Sequence, residues 1–133
     1  MAAIPLARVG ISTYCAQLRD SVVSSVKRAK IIELNDQLRT TFRDGRVQMT
    51  RGVYELDAQL RGRALSVLAR YKKFDKDSEH DWGIFIFAGY SFEWRIEYRR
   101  NDGTAPSLDP SDPQQTFRVL TLSAVDDVLA RTE

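Results

Sequence analysis

Between residues 82 and 100, the hydrophobic pattern predicts a β-hairpin. A continuous apolar run of six residues is followed, after Gly89-Tyr90, by nine residues that alternate polar and apolar side chains. Alternation of this kind is typical of a strand with one buried face. Gly89-Tyr90 is expected to form a type II′ turn that places Phe85 opposite Trp94. We expect the first strand to be covered on both faces and the second to be half-solvated. One face then carries Phe85, Phe87, Phe92, Trp94, Ile96 and Tyr98.

Two helices are predicted before the hairpin. Residues 12–42 contain neither Gly nor Pro and form either one long helix or two, with a break favoured near Ser24-Ser25 and with Gly45 as the residue that ends the second part. A second helix is expected to begin at Asp57, a good N-cap residue, and to end near Lys72-Lys73. The stripe that defines the first helix consists of Ile31, Leu34, Leu38 and Phe42.

Two further strands complete the predicted fold. Residues 46–53 alternate and indicate a strand, and so do residues 116–123, where Phe117 and Val119 are expected on one side and Arg118 on the other. The predicted order is α–β–α–β–β–β. We therefore predict an α+β fold in which two main helices pack on one face of a mostly antiparallel four-stranded sheet.

The length of 133 residues and the apolar content of 43% are typical of a chain with a single core. We expect residues 1–25 to form an irregular or helical N-terminal extension and residues 26–133 to form one α+β domain. No apolar run approaches the roughly 20 residues that a membrane span requires, and the N-terminal pattern does not indicate a signal peptide. The single cysteine, Cys15, cannot form an intramolecular disulfide, so a cytoplasmic location is expected.

Charge is unevenly distributed along the chain. The net charge is only +2, yet residues 1–73 hold 14 basic and 6 acidic side chains, and residues 74–133 hold 6 basic and 12 acidic ones. Such asymmetry indicates opposed surface patches unless folding interleaves the two halves. The overall balance does not by itself indicate a nucleic-acid-binding protein.

The candidate for catalysis is the run Glu79-His80-Asp81, which contains the only histidine. A histidine beside carboxylates can act as a general base. Adjacent residues in an extended loop point in different directions, however, so the favoured interpretation is that these residues tie the loop to neighbouring backbone or to Asn35 or Arg39. One Cys and one His cannot form a zinc site, and no phosphate-binding glycine loop is present. We expect no metal and no cofactor.

Further binding candidates lie in three places. Asn35, Asp36 and Arg39 border the buried stripe of the first helix. Arginines of the hairpin's polar face could meet nucleic acid, although the glutamates between them would repel phosphate. The turn-rich segment 100–115 is a long loop of the kind that is often functional. The candidates of the last two groups are Arg95, Arg99, Arg100, Asp109 and Asp112.

Several segments resemble an uncharacterised bacterial family, domain-of-unknown-function family 3768, over about residues 28–123. The order and spacing of the segments form the resemblance, and no single segment is a mechanistic motif. The family resembles one found in proteobacteria, often on plasmids and other mobile elements, and it implies context more than chemistry. The matching segments are residues 33–39, 45–47, 50–53, 79–83, 109–113 and 118–121.

These observations lead to three hypotheses for function. The first is a small non-enzymatic protein-binding module from a bacterial mobile element, acting as an inhibitor of a host defence complex of the CRISPR type. The second is a small hydrolase or transferase that uses Glu79, His80 and Asp81, and the third is a nucleic-acid-binding accessory protein. The expected partner is a protein, such as a nucleic-acid-targeting host complex, with direct nucleic-acid binding as the weaker alternative. We expect no membrane contact and either a monomer or a homodimer.

Overall fold

The computed structural model describes the backbone of residues 3–126 and the side chains of residues 22–126. The elements of this part of the chain are α1 (Ala3–Thr41), β1 (Arg46–Met49), α2 (Arg51–Tyr54), α3 (Ala58–Ala69), β2 (Trp82–Phe87), β3 (Tyr90–Arg99) and β4 (Phe117–Ala124). The class is α+β, as predicted. The strand expected over residues 46–53 is too long, because a helical turn begins at Arg51 and buries Val53 in the core.

The first helix is continuous, so the break favoured near Ser24-Ser25 is wrong. Serine lowers helix propensity by only about 0.5 kcal/mol per residue relative to alanine, which does not interrupt the helix within residues 12–41, where Gly and Pro are absent. Residues 3–11 are likewise helical and not irregular. α1 crosses residue 25 without interruption. The division into residues 1–25 and 26–133 stays a prediction.

The end of α1 differs from the predicted one. The positive φ expected at Gly45, beyond the end of the helix, is found instead at Phe42, where φ is 58°. The Phe42 amide donates to the Leu38 carbonyl at 2.8 Å. Gly45 instead allows close packing, because a Cβ atom there would lie 2.7 Å from the Arg118 carbonyl oxygen. The second main helix starts after Asp57, as predicted, but ends at Ala69, before the predicted lysines.

The four strands form a mixed sheet in the order β1-β4-β3-β2. The hairpin strands pair antiparallel, and so do β3 and β4, but β1 runs parallel to β4. The expectation of a mostly antiparallel sheet is therefore corrected. Parallel neighbours require a long connection between them, and here that connection consists of α2, α3 and the whole hairpin.

The hairpin turn is Ala88-Gly89, one residue earlier than predicted. Both residues have positive φ, 53° and 82°, which identifies a type I′ turn and not type II′. Phe85 consequently pairs with Phe92 and not with Trp94. Both of these partners project from the same face, so the predicted inward set of the hairpin is unaffected by the shift.

The core lies between one face of the sheet and the helices. Trp94 and Phe92 are completely buried at its centre, and their rings contact aromatic neighbours from α3's end and from β2. Gly83 permits this packing, since a Cβ atom there would lie 2.5 Å from the Tyr71 ring. The buried members of the cluster are Leu38, Val53, Ala64, Leu68, Phe85, Phe92, Trp94, Ile96, Leu120 and Leu122.

The opposite face of the hairpin is open among the described residues. The expectation that β2 is covered on both faces is wrong, because Trp82, Ile84 and Ile86 are all exposed. β2 is also an edge strand. We call this surface the open sheet face, and it consists of Trp82, Ile84, Ile86, Glu93, Arg95, Glu97 and Arg99.

Candidate functional site

Seven polar and aromatic side chains meet where α1 crosses the sheet, and we call them the polar cluster. They come from α1, from the loop before β2, and from the ends of β3 and β4. This arrangement brings together several of the residues singled out from the sequence. The members are Asn35, Asp36, Arg39, Glu79, His80, Tyr98 and Arg118.

Asn35 is the centre of the polar cluster and has no exposed surface. Its side-chain amide nitrogen donates to the Glu79 carbonyl oxygen at 3.0 Å and to the Tyr98 hydroxyl at 2.7 Å. Its side-chain oxygen accepts from Nε of Arg118 at 2.7 Å. Both polar atoms of the side chain are therefore used inside the protein, in three hydrogen bonds, so Asn35 joins the helix, the loop and two strands.

Arg118 is buried, and it lies on the opposite side of β4 from Phe117 and Val119, as predicted. The guanidinium donates from Nη2 to the Pro110 carbonyl at 2.6 Å and lies 5.0 Å from the centre of the Tyr98 ring. Burial lowers the pKa of Arg118, partly offset by Tyr98 and Glu79. The signal in the sequence was parity, because Arg118 shares its side of β4 with Leu120 and Leu122.

Tyr98 connects Asn35 to the carboxylate of Glu79, to which its hydroxyl donates at 3.1 Å. Burial raises the pKa of Tyr98 far above its ordinary value of 10.0, and the negative charges of Glu79 and Asp81 act in the same direction. The hydroxyl is therefore a permanent donor at neutral pH. Sequence reasoning had assigned Tyr98 only to the apolar face of the hairpin.

His80 occupies a special position at the edge of the polar cluster. Its backbone has a positive φ of 60°, its ring stacks on Phe74 at 3.7 Å, and its Nδ1 lies 2.9 Å from the Asp36 carboxylate. The same Asp36 oxygen accepts from Arg39 at 2.8 Å. Strained backbone conformations persist where surrounding contacts hold them, and here the stacking and the carboxylate both do so.

Arg39 is buried between the helix and the aromatic core. Its guanidinium carbon lies 4.8 Å from the Phe74 ring centre and 5.7 Å from that of Trp94. Its Nε, like the indole nitrogen of Trp94, has no hydrogen-bond partner among the described residues. Contact with aromatic faces compensates part of the cost of burying this cation.

The run Glu79-His80-Asp81 does not converge on one point. The carboxylate of Glu79 accepts from Tyr98, the ring of His80 contacts Asp36, and Asp81 lines a separate groove of about 600 Å³ beside residues 103–106. The carbonyl of Asp81 accepts from the Ile96 amide at 2.7 Å. The tie between the loop and Asn35 that the sequence suggested is confirmed.

The remaining predicted binding residues lie elsewhere. Arg95 and Arg99 project from the open sheet face, and each pairs with a glutamate two residues earlier, at 3.3 and 2.7 Å. Arg100 is exposed just beyond β3. These pairs place opposite charges side by side, so the face presents no continuous positive surface.

Asp109 and Asp112 organise the loop between β3 and β4. Asp109 accepts from the amide and the hydroxyl of Ser111, and the hydroxyl bond is the main reason why its pKa is lowered. Lys27 of α1 lies 3.8 Å from Asp109. Asp112 accepts from the Gln114 amide at 2.9 Å. Asp109 thus connects the loop to α1, whereas Asp112 bonds within the loop.

The free edge of β2 lies beside a second groove, of about 430 Å³, that separates β2 from the end of α3. Its lining combines apolar contacts with cations and includes Val67, Tyr71, Phe85, Arg70, Lys72 and Lys73. No ion pair joins Lys72 or Lys73 to another described residue. Sequence reasoning missed this site, because neither the edge position of β2 nor its distance to α3 is encoded in a local pattern.

Two classes of feature are absent from the described residues. No group of three His, Cys, Asp or Glu side chains is placed to hold a metal ion. In the same part of the chain, no helix is both long and apolar enough to cross a bilayer.

Comparison with known proteins yields one match. No curated protein matches significantly, and neither does any solved structure. A family match covers residues 49–127, which includes the segments at 50–53, 79–83, 109–113 and 118–121 and leaves out those at 33–39 and 45–47. This match extends over more than half of the chain, and the protein therefore belongs to the family described as "Protein of unknown function (DUF3768)".

Proposed function

We propose that this protein is a non-enzymatic binding module and that it holds another protein through the β2 side of the open sheet face. The observation that carries the proposal is the exposure of three large apolar side chains in a row, 47% for Trp82, 49% for Ile84 and 75% for Ile86. They project from the same face of an edge strand. Adjacent exposed apolar residues of this kind mark interaction surfaces.

β2 lacks the features that usually protect an edge strand from pairing with other chains, and this supports the same proposal. Natural edge strands usually carry lysine, proline or a bulge that prevents pairing with other chains. Between Trp82 and Phe87, β2 has no charged residue and no proline. An edge left without such protection favours a surface that another protein covers.

The polar cluster supports a structural role for the catalytic candidates. Asn35, Tyr98 and Arg118 bond to one another and to the backbone of two loops. Their donors are occupied in holding α1 against the sheet.

The test compares a surface variant with a matched control. In the double variant Ile84→Thr and Ile86→Thr, the β-branched shape is kept and the exposed apolar groups are removed. Leu108→Thr is the control, since Leu108 is 78% exposed but lies in the loop before β4. A partner is captured from the native host, identified, purified, and titrated against the three proteins by calorimetry.

We expect the double variant to bind at least about tenfold more weakly than the unchanged protein, since each lost apolar contact costs about 1 kcal/mol. The Leu108→Thr control should bind normally. Equal binding by the double variant and the unchanged protein would refute the proposed surface.

A small hydrolase or transferase is the second candidate, and the contact between His80 and Asp36 favours it. A carboxylate that holds one ring nitrogen can orient the other as a proton acceptor. The variant His80→Asn distinguishes catalysis from protein binding. Asparagine tolerates positive φ and retains a donor near Asp36, but it cannot transfer protons. The binding proposal expects full function in this variant. A folded His80→Asn protein that has lost all function would favour catalysis.

Nucleic-acid binding is the third candidate, and the pairing of Arg95 and Arg99 with glutamates gives it little support. The setting that we propose for the module is the bacterial cytoplasm, on a mobile element, with a CRISPR-type host defence complex as the bound protein. This setting rests on the family resemblance and on the single cysteine.

A further inference from the structure

The backbone of β2 has a defined orientation at the free edge. In an antiparallel pair, successive residues direct their N–H and C=O groups alternately toward and away from the neighbouring strand. The Ile96 amide donates to the Asp81 carbonyl, and residue 81 is opposite residue 96 in the register of β2 and β3. Residues 83, 85 and 87 therefore face β3, while Trp82, Ile84 and Ile86 direct their backbone groups outward.

The same three residues thus provide two kinds of contact. Their N–H and C=O groups are open to a further strand, and no described residue pairs with them. Their side chains form the apolar part of the open sheet face. A strand that paired with them would place every second side chain beside Trp82, Ile84 and Ile86, where apolar groups fit.

The alternate side chains of an added strand would lie on the helix side of the sheet. There they meet the groove at the end of α3, where Lys72 and Lys73 are exposed and Arg70 lines the same wall. Asp75 lies farther along, toward Trp82. Acidic side chains therefore complement the end of the edge nearest Ile86.

We propose that β2 accepts an extended segment of another protein as a fifth strand, with alternating apolar and acidic side chains. The inference rests on the proposed binding function and specifies its mode. Strand addition of this type derives affinity from main-chain hydrogen bonds and specificity from the alternate side chains. The apolar residues cover the open sheet face, and the acidic residues lie over Lys72 and Lys73.

A second copy of this chain fits the edge less well. In an antiparallel pair of two β2 strands, the lysines of one copy would lie toward the Trp82 end of the other copy, where Asp75 is accompanied by Lys73. A second copy therefore brings no excess of acidic groups to these lysines. Charge complementarity thus favours a different, acidic chain.

The test uses synthetic strands as probes. A labelled peptide of about eight residues, in which valine and glutamate alternate, matches the six residues of β2 with one residue spare at each end. Two controls have lysine in place of glutamate or N-methylated amides on the same sequence. Binding is measured by fluorescence anisotropy, and hydrogen exchange is followed at the amides of Trp82, Ile84 and Ile86.

We expect the glutamate peptide to bind at least about tenfold more tightly than the lysine peptide, and the N-methylated peptide not to bind. The three outward amides should exchange more slowly in the complex. In the double variant Lys72→Glu and Lys73→Glu, the preference should reverse. Arg43→Glu with Arg63→Glu, which changes the net charge equally on exposed positions, should keep it.

Three results would overturn the inference. The first is that neither peptide binds and that the outward amides exchange at the same rate with and without a captured partner. In that case, partner binding that still depends on Ile84 and Ile86 would leave the proposed function intact. Another is equal affinity for the glutamate and lysine peptides. The third is a dimer by light scattering that Ile84→Thr with Ile86→Thr dissociates, which would assign the edge to a second copy.

Discussion

At the scale of single residues, burial decides which polar groups are structural. Asn35 and Gln37 lie two positions apart on α1, yet the first is enclosed by three partners and the second reaches only Asp44 at the surface. A buried donor or acceptor that loses its partner costs far more than an exposed one, because water cannot replace the missing bond. The two amides therefore allow a direct comparison.

Asn35→Leu is expected to lower the free energy of unfolding by about 2–4 kcal/mol, since Nε of the buried Arg118 loses its acceptor and the Tyr98 hydroxyl loses the donor that it accepts from. Gln37→Leu is the control and should change it by less than about 0.5 kcal/mol. Urea titrations followed by tryptophan fluorescence measure both values. Similar midpoints for the two variants would show that the polar cluster contributes little stability.

At the scale of elements, the hairpin shows what local pattern determines and what it leaves open. Alternation in β3 correctly assigned Phe92, Trp94 and Ile96 to the buried face. The turn was placed one residue late, because a glycine can serve at either position of a two-residue turn. Ala88 must adopt positive φ there, a conformation that disfavours a side chain with a β-carbon.

Replacing Ala88 by asparagine should stabilise the protein by about 0.5–1 kcal/mol, because Asn-Gly is the preferred pair for a type I′ turn. Ala88→Val should destabilise it by a similar amount or more, since β-branched residues resist positive φ. Thermal unfolding monitored by circular dichroism distinguishes the two. A type II′ turn at Gly89-Tyr90 would instead make both substitutions nearly neutral.

At the scale of the whole molecule, folding brings the basic first half against the acidic second half. Lys27 lies beside Asp109, and the guanidinium of Arg28 donates to the carbonyls of Lys76 and Ser78. The charge asymmetry along the sequence is thus partly interleaved in space. The polar cluster likewise joins α1 to β3 and β4. The protonation state of its residues therefore affects the stability of the entire fold.

This coupling predicts a fall in stability at alkaline pH. The pKa of Tyr98 is raised in the folded state, so the folded protein retains a proton that the unfolded chain releases above pH 10.0. The stabilisation is complete below that pH and is lost as pH rises beyond it, by up to about 1.4 kcal/mol per pH unit. Tyr98→Phe should have a shallower decline between about pH 9.5 and 11.5 in urea titrations. Parallel curves for the two proteins would contradict the assignment.

The sequence by itself determined the α+β class, the existence of both main helices, the start of α3 after Asp57 and the buried parity of β3. These properties follow from the geometry of the backbone, because helical and extended chains repeat their faces at fixed periods. Only the tertiary structure decided that β1 runs parallel to β4, which residues enclose Arg118, and that the outer face of β2 stays open. Each depends on which distant segment lies alongside, and contacts between distant residues leave no period in the chain.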